Sequence, residues 1–247
     1  MKNKDCKVIS IFNFKGGVGK TTSTVNVGAA FALMGYKVLL VDLDPQFNLT
    51  QSFGIEYPKK SIYHALIHGE ELLILPLKEN LSLVPSSLEL TKAEWEIASK
   101  FKREFLLETI LSKVKDNYDY VLIDCPPALG SLSMNSFVAS DYIVIPIEAE
   151  YYALKGYSVL QEALSIIGLE IDKVFVTKYD SRIVLNRDVL DSIQTNLTDK
   201  VLKTFIRNNI TLAEAPMQGM DIFAYDKNCN GAHDYQSLAE ELIKELN

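Results

Sequence analysis

The order of segments in this chain predicts an α/β fold: a single domain over residues 1–247, built on a mostly parallel, twisted β-sheet with helices on both faces. Three observations carry that expectation. Short apolar, β-branched runs alternate with longer stretches whose apolar residues recur at helical spacing, the pattern of strands joined by crossover helices. One such run ends in a glycine-rich turn and two others in aspartate, and open parallel sheets gather their ligand-binding groups at that edge. Finally, 247 residues of which 48% are apolar suffice for one substantial core.

Taken in order, Lys7 to Asn13 (KVISIFN) has the composition of a strand buried on both faces. Val25, Ala29, Ala32 and Leu33 then recur at helical spacing over 21–34, and Gly35 follows as a helix-ending glycine. Further strands are read at 37–43, 81–84, 120–124, 141–147, 171–178 and 201–206, with helical patterns at 104–117, 151–167, 185–197 and 232–246. The stretch from Glu56 to Lys102 has the weakest pattern; its Trp95 is read as a packing residue.

The first strand leads into Phe14-Lys15-Gly16-Gly17-Val18-Gly19-Lys20-Thr21-Thr22 and then a helix, the context that a phosphate-binding loop requires. Backbone N–H groups from Gly16 to Thr21 would face phosphate oxygens at the positive helix end. Glycine keeps that approach free of side chains. Lys20 stands where the phosphate-binding lysine belongs, Thr21 supplies a hydroxyl for Mg²⁺, and Val18 and Thr22 complete the loop. Phe14 occupies the position of the ordinary pattern's first glycine, so only a lysine-first variant fits. The extra Lys15 suggests a charge that reaches a nucleotide held by a second copy.

VLLVDLDPQ delivers Asp42 and Asp44 to the sheet edge, and YVLIDCPPA delivers Asp124. Asp124 has the position of a carboxylate that holds Mg²⁺ in line with Thr21. Asp44 can orient an attacking water, with Asp42 as an inward structural group, although spacing alone leaves their roles interchangeable. Pro126-Pro127 fixes a rigid turn after Asp124.

Cys6, Cys125 and Cys229 form no metal-ligand or redox spacing, and no signal-peptide pattern is read, so a reducing cytoplasm is the expected location. No run approaches the roughly 20 apolar residues of a membrane span. The net charge is −7, yet residues 173–207 hold seven basic and four acidic side chains. That window is a modest candidate patch for a polyanion.

KGGVGKTT, LLVDLDPQFN, LIDCPP and a late LAEAP, in that order, resemble the ParA/Soj family of partition ATPases, a P-loop group with a deviant Walker A motif. The resemblance covers nearly the whole chain. It implies the P-loop NTPase fold and hydrolysis of ATP with Mg²⁺. It also implies a homodimer closed by ATP, with Lys15 touching phosphate across the interface, Asp44 positioning water and Asp124 serving as metal acid. Asn209 and Pro216 would contact adenine, although the family's Pro-Arg-Asn run reads Arg207-Asn208-Asn209 here. Phe47 stands where many relatives carry glycine.

By the same resemblance the dimer would bind DNA without sequence preference and associate with the nucleoid. Lys178, Arg182, Arg187, Lys203 and Arg207 are the candidate contacts, and a ParB-like protein would stimulate hydrolysis. No helix-turn-helix precedes the first strand, so operator binding is not expected. A MinD-like membrane anchor is disfavoured because the closing stretch DYQSLAEELIKELN is amphipathic but acidic. A nitrogenase-reductase reading lacks its second cysteine, leaving only Cys125 near the site. A slowly hydrolysing, nucleotide-dependent recruitment module remains the alternative.

Overall fold

A computed structural model describes residues 6–246. Eight strands form one sheet: β1 (Lys7–Ile11), β2 (Val38–Asp42), β3 (Leu75–Lys78), β4 (Leu81–Val84), β5 (Tyr120–Asp124), β6 (Tyr142–Glu148), β7 (Lys173–Tyr179) and β8 (Val201–Arg207). Their order is β3-β4-β2-β5-β1-β6-β7-β8. All neighbours run parallel except β3, which pairs antiparallel with β4.

Among the described residues, eleven α-helices connect and cover the strands: α1 (Lys20–Leu33), α2 (Asn48–Gln51), α3 (Ile62–His68), α4 (Ala93–Ala98), α5 (Leu106–Leu111), α6 (Ser131–Ala139), α7 (Ala153–Ile166), α8 (Val184–Asn196), α9 (Thr211–Glu214), α10 (Ile222–Asp226) and α11 (Asn230–Glu245). Alternation along the central strands sends side chains into two cores. Leu39, Val41, Val121 and Ile123 pack with α3–α8 on one face, whereas Val38, Leu40, Tyr120 and Leu122 pack with α1 and α11 on the other. Gly28 lets α1 approach the sheet: a Cβ there would lie 2.5 Å from Leu40 Cδ2.

β1 lies between β5 and β6, while the chain leaving it crosses to β2 on the far side of β5. Connections therefore diverge at its carboxyl end and open a crevice there, the usual ligand position in a doubly wound sheet.

All seven strands read from sequence exist, with ends shifted by a residue or two. The single helix expected at 104–117 is instead a 3₁₀ turn at Arg103–Phe105, the short α5 and a second turn at Lys115–Asn117. The stretch from Glu56 to Lys102 supplies α3, α4 and β3 beside the expected β4, and α6 lies outside every expected helix. Trp95 is not a packing residue: it is 83% exposed on α4. Its neighbour Glu94 makes the structural contact, accepting bonds from the backbone N–H groups of Ser131 (2.7 Å) and Leu132 (3.2 Å) at the start of α6.

Candidate functional site: a phosphate-binding loop between three carboxylates

The loop from Asn13 to Gly19 joins β1 to α1 with φ of 75° at Gly17 and 93° at Gly19. Glycine is the residue that takes those angles without strain. Thr177, near the end of β7, donates to the Val18 carbonyl at 2.9 Å and so fastens the loop to the neighbouring strands. Lys20 is largely buried and its ammonium bonds the Lys15 carbonyl at 3.1 Å. Burial lowers its pKa, against the opposing pull of Asp124 and Asp44.

Asp42 and Asp124 are register neighbours on β2 and β5, which places two buried carboxylates side by side. Their roles separate in the structure. Asp42 accepts from the Asp44 N–H (3.2 Å), the Thr50 N–H (2.8 Å) and the Thr50 hydroxyl (2.6 Å). It therefore organises the loop from 44 to 50, which Ser86 fastens further by donating to the Asp44 carbonyl at 2.8 Å. Asp44 itself lines the crevice, accepting only the Gln46 N–H at 2.9 Å. Burial raises its pKa.

Asp124 accepts from the Thr21 hydroxyl at 2.7 Å through Oδ2, while its buried Oδ1 has no hydrogen-bond partner among the described residues. Burial, then the charge of Asp42, pushes its pKa well up. An orphaned carboxylate oxygen beside a threonine hydroxyl, with two further acids and one lysine nearby, is a donor set short of positive charge. Oxygen ligands of this kind suit Mg²⁺. Thr21 and Asp124 are the residues that would hold it.

The crevice has a volume of about 710 Å³ and is lined by the phosphate loop, Asp44, Asn209 and Pro216 among others. Asn209 Oδ1 accepts from the backbone and hydroxyl of Thr211, leaving its amide nitrogen available to a base. Arg207 and Lys178 also line this crevice, which separates them from the other candidate DNA contacts. Arg207 is bound to Asp234 on α11 at 2.6 Å and joins that helix to the end of β8. Arg182 is paired with Asp180 at 2.7 Å on an exposed turn. Arg187 on α8 and Lys203 on β8 are exposed.

Lys15 is held within its own subunit, 2.8 Å from Glu148 and 2.7 Å from Glu150. Partial desolvation opposes its charge, but bonds to the two glutamates hold its pKa above the ordinary lysine value. Neither glutamate was singled out from sequence. Glu148 ends β6 at the same sheet edge as Asp124, so the strand-end carboxylate was the available signal. Cys125 is fully buried, with its thiol 2.9 Å from the Ser136 hydroxyl and pushed up to about 12 by burial.

Phe47 adopts φ 45°, the left-handed conformation for which glycine is suited, immediately before α2. The loop thus keeps the backbone of a glycine while carrying an aromatic side chain. A Phe47→Gly protein is expected to retain its melting temperature within a few degrees, whereas Phe47→Val should lose about 1–3 kcal/mol, because β-branched residues resist this region most. Equal melting temperatures for the two would contradict the conformation.

These features define a P-loop nucleotide hydrolase. Comparison with known proteins agrees. The family model described as "AAA domain" matches residues 6–178. The chain is 42% identical to the sporulation initiation inhibitor protein Soj of Bacillus subtilis (strain 168) over 247 residues, covering 96% of this chain and 98% of the relative. It is 40% identical to the chromosome-partitioning ATPase Soj of Treponema pallidum (strain Nichols), covering 96% and 97%. Among solved structures, cobyrinic acid a,c-diamide synthase from Mycobacterium smegmatis with bound ADP and magnesium superposes with a TM-score of 0.84 at 30% identity, covering 98% of this chain and 95% of that one. The chain belongs to the ParA/Soj family and is a partition ATPase. No helix among the described residues is long and apolar enough to cross a membrane.

Proposed function

We propose that this ATPase is a dimerising switch: ATP and Mg²⁺ bind each subunit, two subunits close over the nucleotides, and the dimer binds DNA without sequence preference until hydrolysis releases it. The observation that carries this reading is the extra lysine at the start of the loop, Lys15. Lys20 already occupies the phosphate-binding position within the subunit, whereas Lys15 stands half-exposed at the loop's outer side. A cation supplied in trans to a phosphoryl group contributes roughly 10³–10⁵ in rate where such fingers have been dissected.

In this scheme the N–H groups of Gly16, Gly17, Val18, Gly19, Lys20 and Thr21, together with the Thr22 side, cradle the phosphates. Thr21 and Asp124 hold the metal, Asp44 orients water, and Asn209 and Pro216 border the base. The bound ADP and magnesium of the Mycobacterium smegmatis structure support the ligand pair. The family relation supports cargo partition in a nucleoid-associated, cytoplasmic setting, with a ParB-like protein as the stimulating partner.

The test is sizing by light scattering with ATP and Mg²⁺. Lys15→Gln is expected to remain monomeric while still binding nucleotide; a variant that dimerises as well as wild type would sink the cross-subunit role. For DNA, Arg187 and Lys203 are the candidates to test first, being exposed and outside the lining of the nucleotide crevice. Reversing Arg187 and Lys203 to glutamate together should weaken ATP-dependent binding to a random duplex by about tenfold and flatten its salt dependence. Binding unchanged in both respects would assign the DNA contact elsewhere. The recruitment-module alternative predicts negligible turnover with and without DNA, which a phosphate-release assay distinguishes.

A further inference from the structure

At the outer side of the phosphate loop two lysines and two glutamates form an ordered chain of ion pairs. Glu150 meets Lys15 at 2.7 Å, Lys15 meets Glu148 at 2.8 Å, and the other oxygen of Glu148 meets Lys178 at 3.6 Å. Lys15, Glu148 and Glu150 border a cleft of about 440 Å³ whose walls include the apolar residues Phe14, Val18, Tyr157 and Leu160. An apolar wall limits the solvent screening of charges lying against it. Lys178 is held in the left-handed region at φ 53°, uncommon for a lysine and sustained only where surrounding structure fixes it. The Thr177 bond to Val18 immediately before it supplies that restraint.

We propose that Glu148 and Glu150 are positioning residues for Lys15, holding its ammonium in a stored position in the single subunit, and that Lys178 stays on Glu148 as counter-charge when Lys15 leaves. The proposal rests on the reading that Lys15 crosses to the second nucleotide. Two carboxylates compete with the phosphates of the opposing subunit for one ammonium, so dimer closure has to exceed the strength of this clamp. Two clamps open per dimer. Lys178 lowers the cost by leaving only Glu150, which is 41% exposed and readily hydrated, without its partner. The arrangement raises the nucleotide occupancy needed for closure and keeps Lys15 from pairing elsewhere.

The experiment measures dimer fraction by sedimentation against the concentration of a slowly hydrolysed ATP analogue with Mg²⁺. Glu148→Gln with Glu150→Gln is expected to lower the analogue concentration at half-maximal dimer by about threefold or more, and Lys178→Met to raise it by a similar factor. Binding of the analogue to the double glutamine subunit, read at protein concentrations below dimerisation, should stay within about twofold of wild type, because neither glutamate lines the nucleotide crevice, and this separates positioning from a general structural defect. A double glutamine variant with an unchanged or raised threshold, alongside a Lys15→Gln protein that cannot dimerise, would overturn the clamp and leave the cross-subunit reading intact. Normal dimerisation of Lys15→Gln would overturn both. The single Glu150→Gln variant, altered at a more exposed residue, repeats the test should the double variant fold poorly.

Discussion

Replacing Asp44 with alanine is expected to lower ATP turnover by about 10²–10⁴-fold while the protein still binds nucleotide and still dimerises. The geometry separates this carboxylate from its neighbours. Asp42 spends both oxygens on Thr50 and the Asp44 N–H, and Asp124 spends one on Thr21. Asp44 lines the crevice with only the Gln46 N–H as acceptor load, so it retains lone pairs for a water. Its backbone is held by Ser86 and by the Asp42–Thr50 bonds, so truncating the side chain should not displace the loop. Phosphate release and light scattering on one preparation check the result. Unchanged turnover with a normal dimer would assign the water to another group. Asp42→Asn offers a contrast: the amide nitrogen cannot accept, so either the Thr50 groups or the Asp44 N–H lose their acceptor, and stability and turnover should fall together.

The second large effect is expected from Asp124→Asn, which should lose at least about 10²-fold of Mg²⁺-dependent turnover and yet melt at a higher temperature than wild type without metal and nucleotide. Three acids converge here against Lys20, and Asp124 Oδ1 is buried without a partner. Its pKa in the folded state lies above the unfolded value of about 4. Ionisation therefore costs stability in the metal-free protein. That cost is absent below about pH 4, grows as pH rises from there to the folded value, and is constant above it. Asparagine keeps an acceptor for Thr21 and carries no charge, so the cost disappears. A gain of about 2–4 °C near neutral pH, shrinking toward pH 4, is the expected signature in a chain of this size. A melting temperature that falls at every pH would show that the carboxylate is favourably solvated without metal, and would remove the electrostatic reason for placing Mg²⁺ there.

The elements legible from sequence were those whose residues act locally. VLLVD and YVLID are fully buried five-residue strands, and continuous apolar runs announce themselves. The run from Arg103 to Asn117 has helical composition, yet it breaks into an α-helix of one and a half turns between two 3₁₀ turns. Its register is set by docking on α6, where Asn135 bonds the Leu107 N–H at 3.1 Å. Trp95 shows the same limit from the other side, since hydrophobicity predicts burial only where a partner surface exists. Lys178 and Arg207 belonged to a basic stretch in one dimension; folding turned them toward the nucleotide crevice.

What the residues determined alone was the chemistry of the phosphate loop. Glycines at positions 17 and 19 meet a backbone requirement within the loop itself, and Lys20 and Thr21 follow them on the first turn of α1. The tertiary structure decided how the three acids are placed: Asp42 is occupied by Thr50 and the Asp44 N–H, Asp44 lines the crevice, and Asp124 meets Thr21 from 103 positions away. It also decided where Lys15 rests. The glutamates that hold it lie 133 and 135 positions away in the chain, and charges so far apart in sequence meet only when parallel strands align their carboxyl ends.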